Sequence, residues 1–174
     1  MALGDPRPDE GGDPALVLGI DPGTAVTGYG VVARRGVGAV SLVECGVVRT
    51  SAGTPLAERI REIYLEVDAL LERHRPHAMA VEAVFQGKNV RSALTLGHAR
   101  GAILLAAALR GVPIAEYSPG EIKKAVVGTG QATKEQVAFM VKQQLRLKEA
   151  PSPADAADGV ATALCHCLAG SFPR

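Results

Sequence analysis

Four acidic residues stand where acids are hard to explain by solubility alone. Asp21 closes the apolar run Val17-Leu18-Gly19-Ile20 and opens the turn Pro22-Gly23-Thr24. The plain alternative is a turn aspartate that caps its own backbone before Pro-Gly. Glu82 lies within Met79-Ala80-Val81-Glu82-Ala83-Val84-Phe85, where nearly every neighbour favours burial. A carboxylate in such surroundings is costly unless it is paired or holds a metal, or unless the strand has one solvated face. Asp155 and Asp158 stand three apart at the start of the last helical segment, on one face of it. With Ser152 as N-cap, Asp155 occupies a position where the helix dipole welcomes an anion. Asp158 lies deeper, where aspartate is a poor helix former. Ala154, Ala157, Ala161, Leu164 and Leu168 are expected to form the buried stripe of this helix, and Asp155, Asp158, Thr162 and His166 a different one.

Carboxylates from two strands and a helix can converge at one sheet edge. Like charges 4 Å apart repel by ~1 kcal/mol in water and ~4 kcal/mol at an effective dielectric of 20, so such a cluster needs cations. All-oxygen ligands select a hard ion, Mg²⁺ with Mn²⁺ as its substitute. Two such ions can activate a water and stabilise the leaving oxygen of an in-line phosphodiester displacement.

The elements that must position these acids follow from periodicity and turn chemistry. Strands are expected over Ala15–Ile20, Gly28–Ala33 and Ala39–Val48, forming an antiparallel meander. Thr54-Pro55 opens a helix as N-cap and first-turn proline, with Leu56, Ile60, Val67 and Leu71 on its apolar face and Pro76 as its stop. A buried strand over Ala78–Val84 precedes a helix from Ser92 to Arg110 and a short strand at Pro113–Glu116. Ser118-Pro119-Gly120-Glu121 and Thr133-Lys134-Glu135-Gln136 are capping boxes, each opening a helix. Ser152-Pro153 opens the last helix, which ends near Leu168. The order predicts an α/β sandwich with a mixed sheet.

The chain of 174 residues, 47% hydrophobic and 21% charged, is sized for one domain, expected over residues 15–174. Residues 1–14 carry Asp5, Asp9, Glu10 and Asp13 without an apolar run, and read as a disordered acidic tail rather than a signal or an anchor. The longest apolar run, Ala102–Leu109, is too short to span a bilayer, so no membrane role is expected. Three cysteines, Cys45, Cys165 and Cys167, make an odd count that favours a reducing cytoplasm. Cys165-His166-Cys167 is not a zinc site, because helical residues two apart point about 200° away from each other. Net charge is only +1, but its distribution is uneven: residues 1–85 hold 8 basic and 12 acidic side chains, residues 86–174 hold 11 and 6. A polyanion-binding surface in the second half would fit that asymmetry.

Several of these segments, in order, resemble the RuvC-type Holliday junction resolvases. They are Gly19-Ile20-Asp21-Pro22-Gly23-Thr24 with Gly28-Tyr29-Gly30, Val81-Glu82 with Phe85, Tyr117-Ser118-Pro119 with Lys123, Ala132-Thr133-Lys134-Glu135-Gln136-Val137, and Ala154-Asp155-Ala156-Ala157-Asp158 with Ala161 and His166-Cys167. The resemblance covers about residues 15–169. It implies an RNase H-like fold, with a mixed five-stranded sheet flanked by helices, and a Mg²⁺-dependent endonuclease acting on four-way junction DNA. It further implies a homodimer, paired symmetric nicks, a branch-migration motor complex as partner, and Asp21, Glu82, Asp155 and Asp158 as the catalytic metal ligands. The acidic residues ahead of Ala15 depart from the family's usual start.

The same resemblance assigns phosphate contacts to Lys123 and Lys134, and a base contact to Phe85. On its own terms, Lys134 occupies a first helical turn where the dipole disfavours a cation, which points to another task. Phe85 is either a core residue closing its strand or a stacking platform. Gly97 and Gly101, one turn apart, admit another backbone, either this protein's sheet or a second copy. Actin-like ATPases and sugar kinases begin similarly but need two lobes to enclose a nucleotide. A small RNase H and a junction-binding module without cleavage are the remaining competitors.

Overall fold

The structure, a computed structural model, describes residues 13–36, 38–83 and 89–169. Three strands come first: β1 (Ala15–Asp21), β2 (Val26–Arg35) and β3 (Ala39–Arg49). Helix α1 (Leu56–His74), β4 (Ala78–Glu82), α2 (Val90–Leu109) and β5 (Ile114–Tyr117) follow. The chain then finishes with α3 (Pro119–Val127), α4 (Lys134–Gln144) and α5 (Ala154–Ala169). The strands lie in the order β3-β2-β1-β4-β5. β1 pairs antiparallel with β2 and parallel with β4, and β5 is parallel to β4, so the sheet is mixed as expected.

Period-two alternation sends each strand's side chains to opposite faces. Leu18, Ile20, Val31, Met79 and Val81 pack under α1 and α2 with Ile63, Val67, Leu71, Ala99 and Ile103. Val17, Val32 and Ala80 pack under α3, α4 and α5 with Ile122, Val137, Val160 and Leu164. Burying one such aliphatic side chain contributes about 1.5–3 kcal/mol, and the two layers together make the sheet the rigid middle of the molecule.

α5 lies almost on the backbone of the sheet. A Cβ on Gly28 would stand 1.8 Å from the Asp155 carbonyl oxygen, and one on Gly30 would stand 2.6 Å from Cα of Val160. One on Gly19 would meet the backbone of Gly159 and Ala163 within 2.3 Å. Only glycine allows this approach, and it explains why α5 is buried around nearly its whole girth.

Four expectations are corrected. Thr54 is not the cap of α1: Pro55 holds that position, without a side-chain cap bond. Ser152 is not the cap of α5 either. The helix begins at Ala154, and the Ala156 and Ala157 amides donate to the Pro153 carbonyl. The expected buried stripe of α5 is too narrow, because Thr162 and His166 are buried while Ala154 and Leu168 are exposed; the close sheet contact covers both stripes. Finally, α2 is long and apolar enough to cross a membrane, which a search for unbroken apolar runs overlooks because Gly97, His98 and Arg100 interrupt them. Its Ala99, Ile103, Ala106 and Ala107 are buried in the core beneath α1. Gly97 and Gly101 do not pack on the sheet: nothing lies within 4 Å of where their Cβ atoms would be. The acidic tail, apart from Asp13 and Pro14, lies outside the described residues.

Candidate active site

Strand register brings the first two acids together. Ile20 pairs with Val81 in the parallel β1–β4 ladder, so Asp21 and Glu82 end adjacent strands at the same sheet edge. Both fall on the face of Val17 and Ala80, the face covered by α5. The turn after Asp21 does not use that carboxylate. It is closed by Thr27, whose hydroxyl donates to the Gly23 carbonyl at 2.7 Å and accepts from the Gly23 amide at 3.3 Å. Asp21 is left to face a cavity of about 180 Å³, lined also by Glu82, Asp158, Lys123, Lys134 and the apolar wall of Ile122, Val137 and Ala161.

The third acid comes from α5, whose first turn rests on Gly28, the partner of Asp21 across β1–β2. Asp158, half-buried, opens into the cavity one turn further along. Asp155 does not line that cavity, but its charge is felt by Asp21 and Lys134. Lys134 Nζ donates to Asp158 Oδ2 at 2.8 Å.

The electrostatics are those of an under-neutralised acidic cluster. Burial, then the Glu82 and Asp158 charges, push Asp21 up from 3.8 to about 7, against the opposing pull of Lys134. Glu82 is raised by burial and by Asp158, with Lys134 and Lys123 pulling it down. The Asp158 contact in turn holds the Lys134 ammonium more firmly protonated. The acid oxygens facing the cavity suit a hard divalent cation, whose charge would remove the repulsion that raises Asp21. Among the described residues no group of three or more acid, imidazole or thiol side chains is arranged to hold a metal ion by itself.

The family model for the crossover junction endodeoxyribonuclease RuvC matches residues 17–166, which include all four acids. The chain belongs to the RuvC family. It is 52% identical over 151 residues to the RuvC of Pelotomaculum thermopropionicum, covering 87% of this chain and 92% of that relative. Thermus thermophilus RuvC in complex with a Holliday junction substrate superposes with a TM-score of 0.84 at 44% identity, over 88% of this chain and 93% of that one. The yeast mitochondrial Holliday junction resolvase, 15% identical with a TM-score of 0.63, shares the fold. The mixed sheet with its flanking helices is therefore the RNase H-like fold of RuvC, and the chain is a nuclease of a metal-dependent family.

Of the seven site residues expected from sequence, the structure gathers Asp21, Glu82, Asp158, Lys123 and Lys134 around one cavity, with Asp155 beside it. Phe85 lies outside the described residues. Lys123 owes its place to α3, opened by a capping box in which Ser118 accepts from the Glu121 amide and Glu121 accepts from the Ser118 amide. Lys134 is the first residue of α4, fixed by the matching box of Thr133 and Gln136.

One pair escaped the sequence reading. Tyr117 ends β5 beside Glu82, and its hydroxyl lies 2.7 Å from Nδ1 of His166 on α5. Burial lowers the His166 pKa, which favours the neutral ring. This bond ties the strand edge carrying Glu82 to the helix carrying Asp158. His166 stands two turns beyond Asp158 through Thr162, whose hydroxyl donates to the Asp158 carbonyl at 2.9 Å. The helical stripe was visible in the spacing; the strand residue that meets it was not.

Proposed function

We propose that this chain resolves four-way DNA junctions by paired symmetric nicks, hydrolysing phosphodiester bonds in DNA recombination and repair, with Asp21, Glu82, Asp155 and Asp158 as metal ligands. The observation that carries this is the meeting of Asp21 and Glu82, from neighbouring parallel strands, with Asp158 from α5 around one cavity, where burial and then the neighbouring carboxylates push Asp21 to about 7. The Thermus thermophilus relative bound to a junction supports the substrate.

We further propose Mg²⁺ as the ion, two per site, with Mn²⁺ as a substitute. Such ions supply, when bound, a water acidic enough to attack at neutral pH and an offset for charge on the leaving oxygen. Water and phosphate oxygens would complete the coordination of ions held by these acids. Lys123 and Lys134, which line the cavity, hold the phosphates flanking the cut, and Phe85 stacks on a base where the junction opens. Symmetric nicks need two sites, so the active form is a homodimer, and a branch-migration motor complex is its partner. The cytoplasm is its setting, in keeping with three free cysteines, two of them buried.

The test is cleavage of a labelled four-way junction against duplex DNA and an RNA–DNA hybrid, in Mg²⁺, Mn²⁺ or EDTA. Symmetric nicks in the junction alone, abolished by EDTA, are expected. Preferential cutting of the hybrid would move the protein to the RNase H class, and tight junction binding without nicks would make it a binding module.

A further inference from the structure

Lys134 stands at the first position of α4, where the helix dipole opposes a cation. Its backbone is fixed by the Thr133–Gln136 capping box, but its side chain is 73% exposed and ends on the Asp158 carboxylate, which is only 20% exposed. Lys134 also bears on Asp21 and Glu82, lowering both against the burial and repulsion that raise them. Lys123 lines the same cavity and bears on Glu82. The acidic cluster thus has a cation of its own, a single charge on a flexible four-carbon stem lining the cavity.

We propose that Lys134 is a built-in counter-ion of the carboxylate cluster, holding Asp158 until a divalent ion takes its place and then releasing its ammonium to the DNA backbone. This rests on the reading of the carboxylates as a metal site. The exchange is physically cheap. An exposed ammonium gives up a bond worth little in water, whereas a divalent ion brings twice the charge to the same oxygens. It also couples two events, because the lysine is free for a phosphate only once the acids have another cation.

Three properties follow for Lys134→Met, which keeps the stem and a good helix former but removes the charge. Without metal its melting temperature at pH 8 falls below wild type, because the acids lose their cation. Its affinity for Mn²⁺, read by electron paramagnetic resonance of free against bound ion, rises by about three- to fivefold, a modest value suited to a partly screened charge. Lys123→Met, which removes a charge near Glu82 but no bond to Asp158, changes Mn²⁺ affinity less. In the wild type, acetylation of the Lys134 amine, mapped by mass spectrometry, quickens when Mg²⁺ is added. Mn²⁺ affinity in Lys134→Met equal to or weaker than wild type would overturn the proposal, as would an acetylation rate indifferent to Mg²⁺. If wild type binds Mn²⁺, Asp158→Asn does not and Lys134→Met is unchanged, the counter-ion role alone falls. If none of these proteins binds Mn²⁺, the metal reading falls with it.

Discussion

Asp21 shows how one side chain converts its surroundings into a pH-dependent property. Its folded pKa of about 7 exceeds the ordinary 3.8, so the folded chain holds this proton more tightly than the unfolded one. The stabilisation this gives is full below about pH 4 and is lost as pH rises through about 7. His166 works in the opposite sense: its pKa is lowered, so its contribution is present above about 6.5 and lost as pH falls. The Asp21 effect is therefore isolated by comparing wild type with Asp21→Asn. In EDTA, the melting temperature of wild type should fall relative to the variant between pH 4 and pH 7. Added Mg²⁺, which competes with the proton, should stabilise wild type more as pH rises through 7 and leave Asp21→Asn nearly unmoved. A wild-type curve parallel to the variant's would remove Asp21 from the cluster. Asp158→Asn makes the complementary case: cleavage should fall by more than about a hundredfold, beyond what loss of an outer-shell partner gives, while gel-shift binding of the junction persists. Retained cutting would strike Asp158 from the ligand set.

Elements decide where those residues stand, and the sequence reveals them unevenly. The strands and the two capping boxes were legible because period-two alternation and the Ser-x-x-Glu and Thr-x-x-Gln patterns act over a few residues. Asp21 and Glu82 were legible as acids in apolar runs, but their adjacency depends on β1 pairing with β4 across more than fifty residues, which no local rule encodes. The caps of α1 and α5 were misassigned because a serine or threonine ahead of proline mimics a cap that the backbone does not use. Least visible was the role of Gly19, Gly28 and Gly30, which reads as strand weakness in one dimension and as helix seating in three. Gly28→Ala tests this directly. Its methyl group would meet the Asp155 carbonyl, so the start of α5 must shift or the strand must yield, costing about 1–3 kcal/mol. Thermal melts should show that loss, and isothermal titration should show weaker Mg²⁺ binding in the protein that remains folded. Tyr117→Phe removes only the bond to His166, and should weaken Mg²⁺ binding about tenfold with little change in junction affinity. If Tyr117→Phe lowers stability but leaves the metal titration unchanged, the pair is structural only.

At the scale of the whole molecule, α2 presents an apolar surface that neither the core nor the cavity uses. Val90, Leu94, Gly97, Gly101 and Leu105 follow one another down α2 at helical spacing, opposite the buried Ala99, Ile103 and Ala106. Val90 is 73% and Leu94 63% exposed, and the two glycines have open space above them. Monomeric proteins rarely leave an apolar stripe of this length to water, and small residues at its centre let a second helix lie close. A second copy seated there by a two-fold axis would pair the same surface with itself and place two cavities in one particle, which is what two symmetric nicks require. Leu94→Glu with Leu105→Glu should then convert the protein from dimer to monomer in sedimentation, with the fold kept because both side chains are exposed in the single chain. On a supercoiled plasmid carrying an extruded junction, the dimer should release linear product from two nicks made within one binding event. The monomer should accumulate the singly nicked circle, its second cut arriving only after a second encounter. A wild type that sediments as a monomer at working concentration yet still linearises the plasmid in one event would remove α2 from the interface and require another route to paired cleavage.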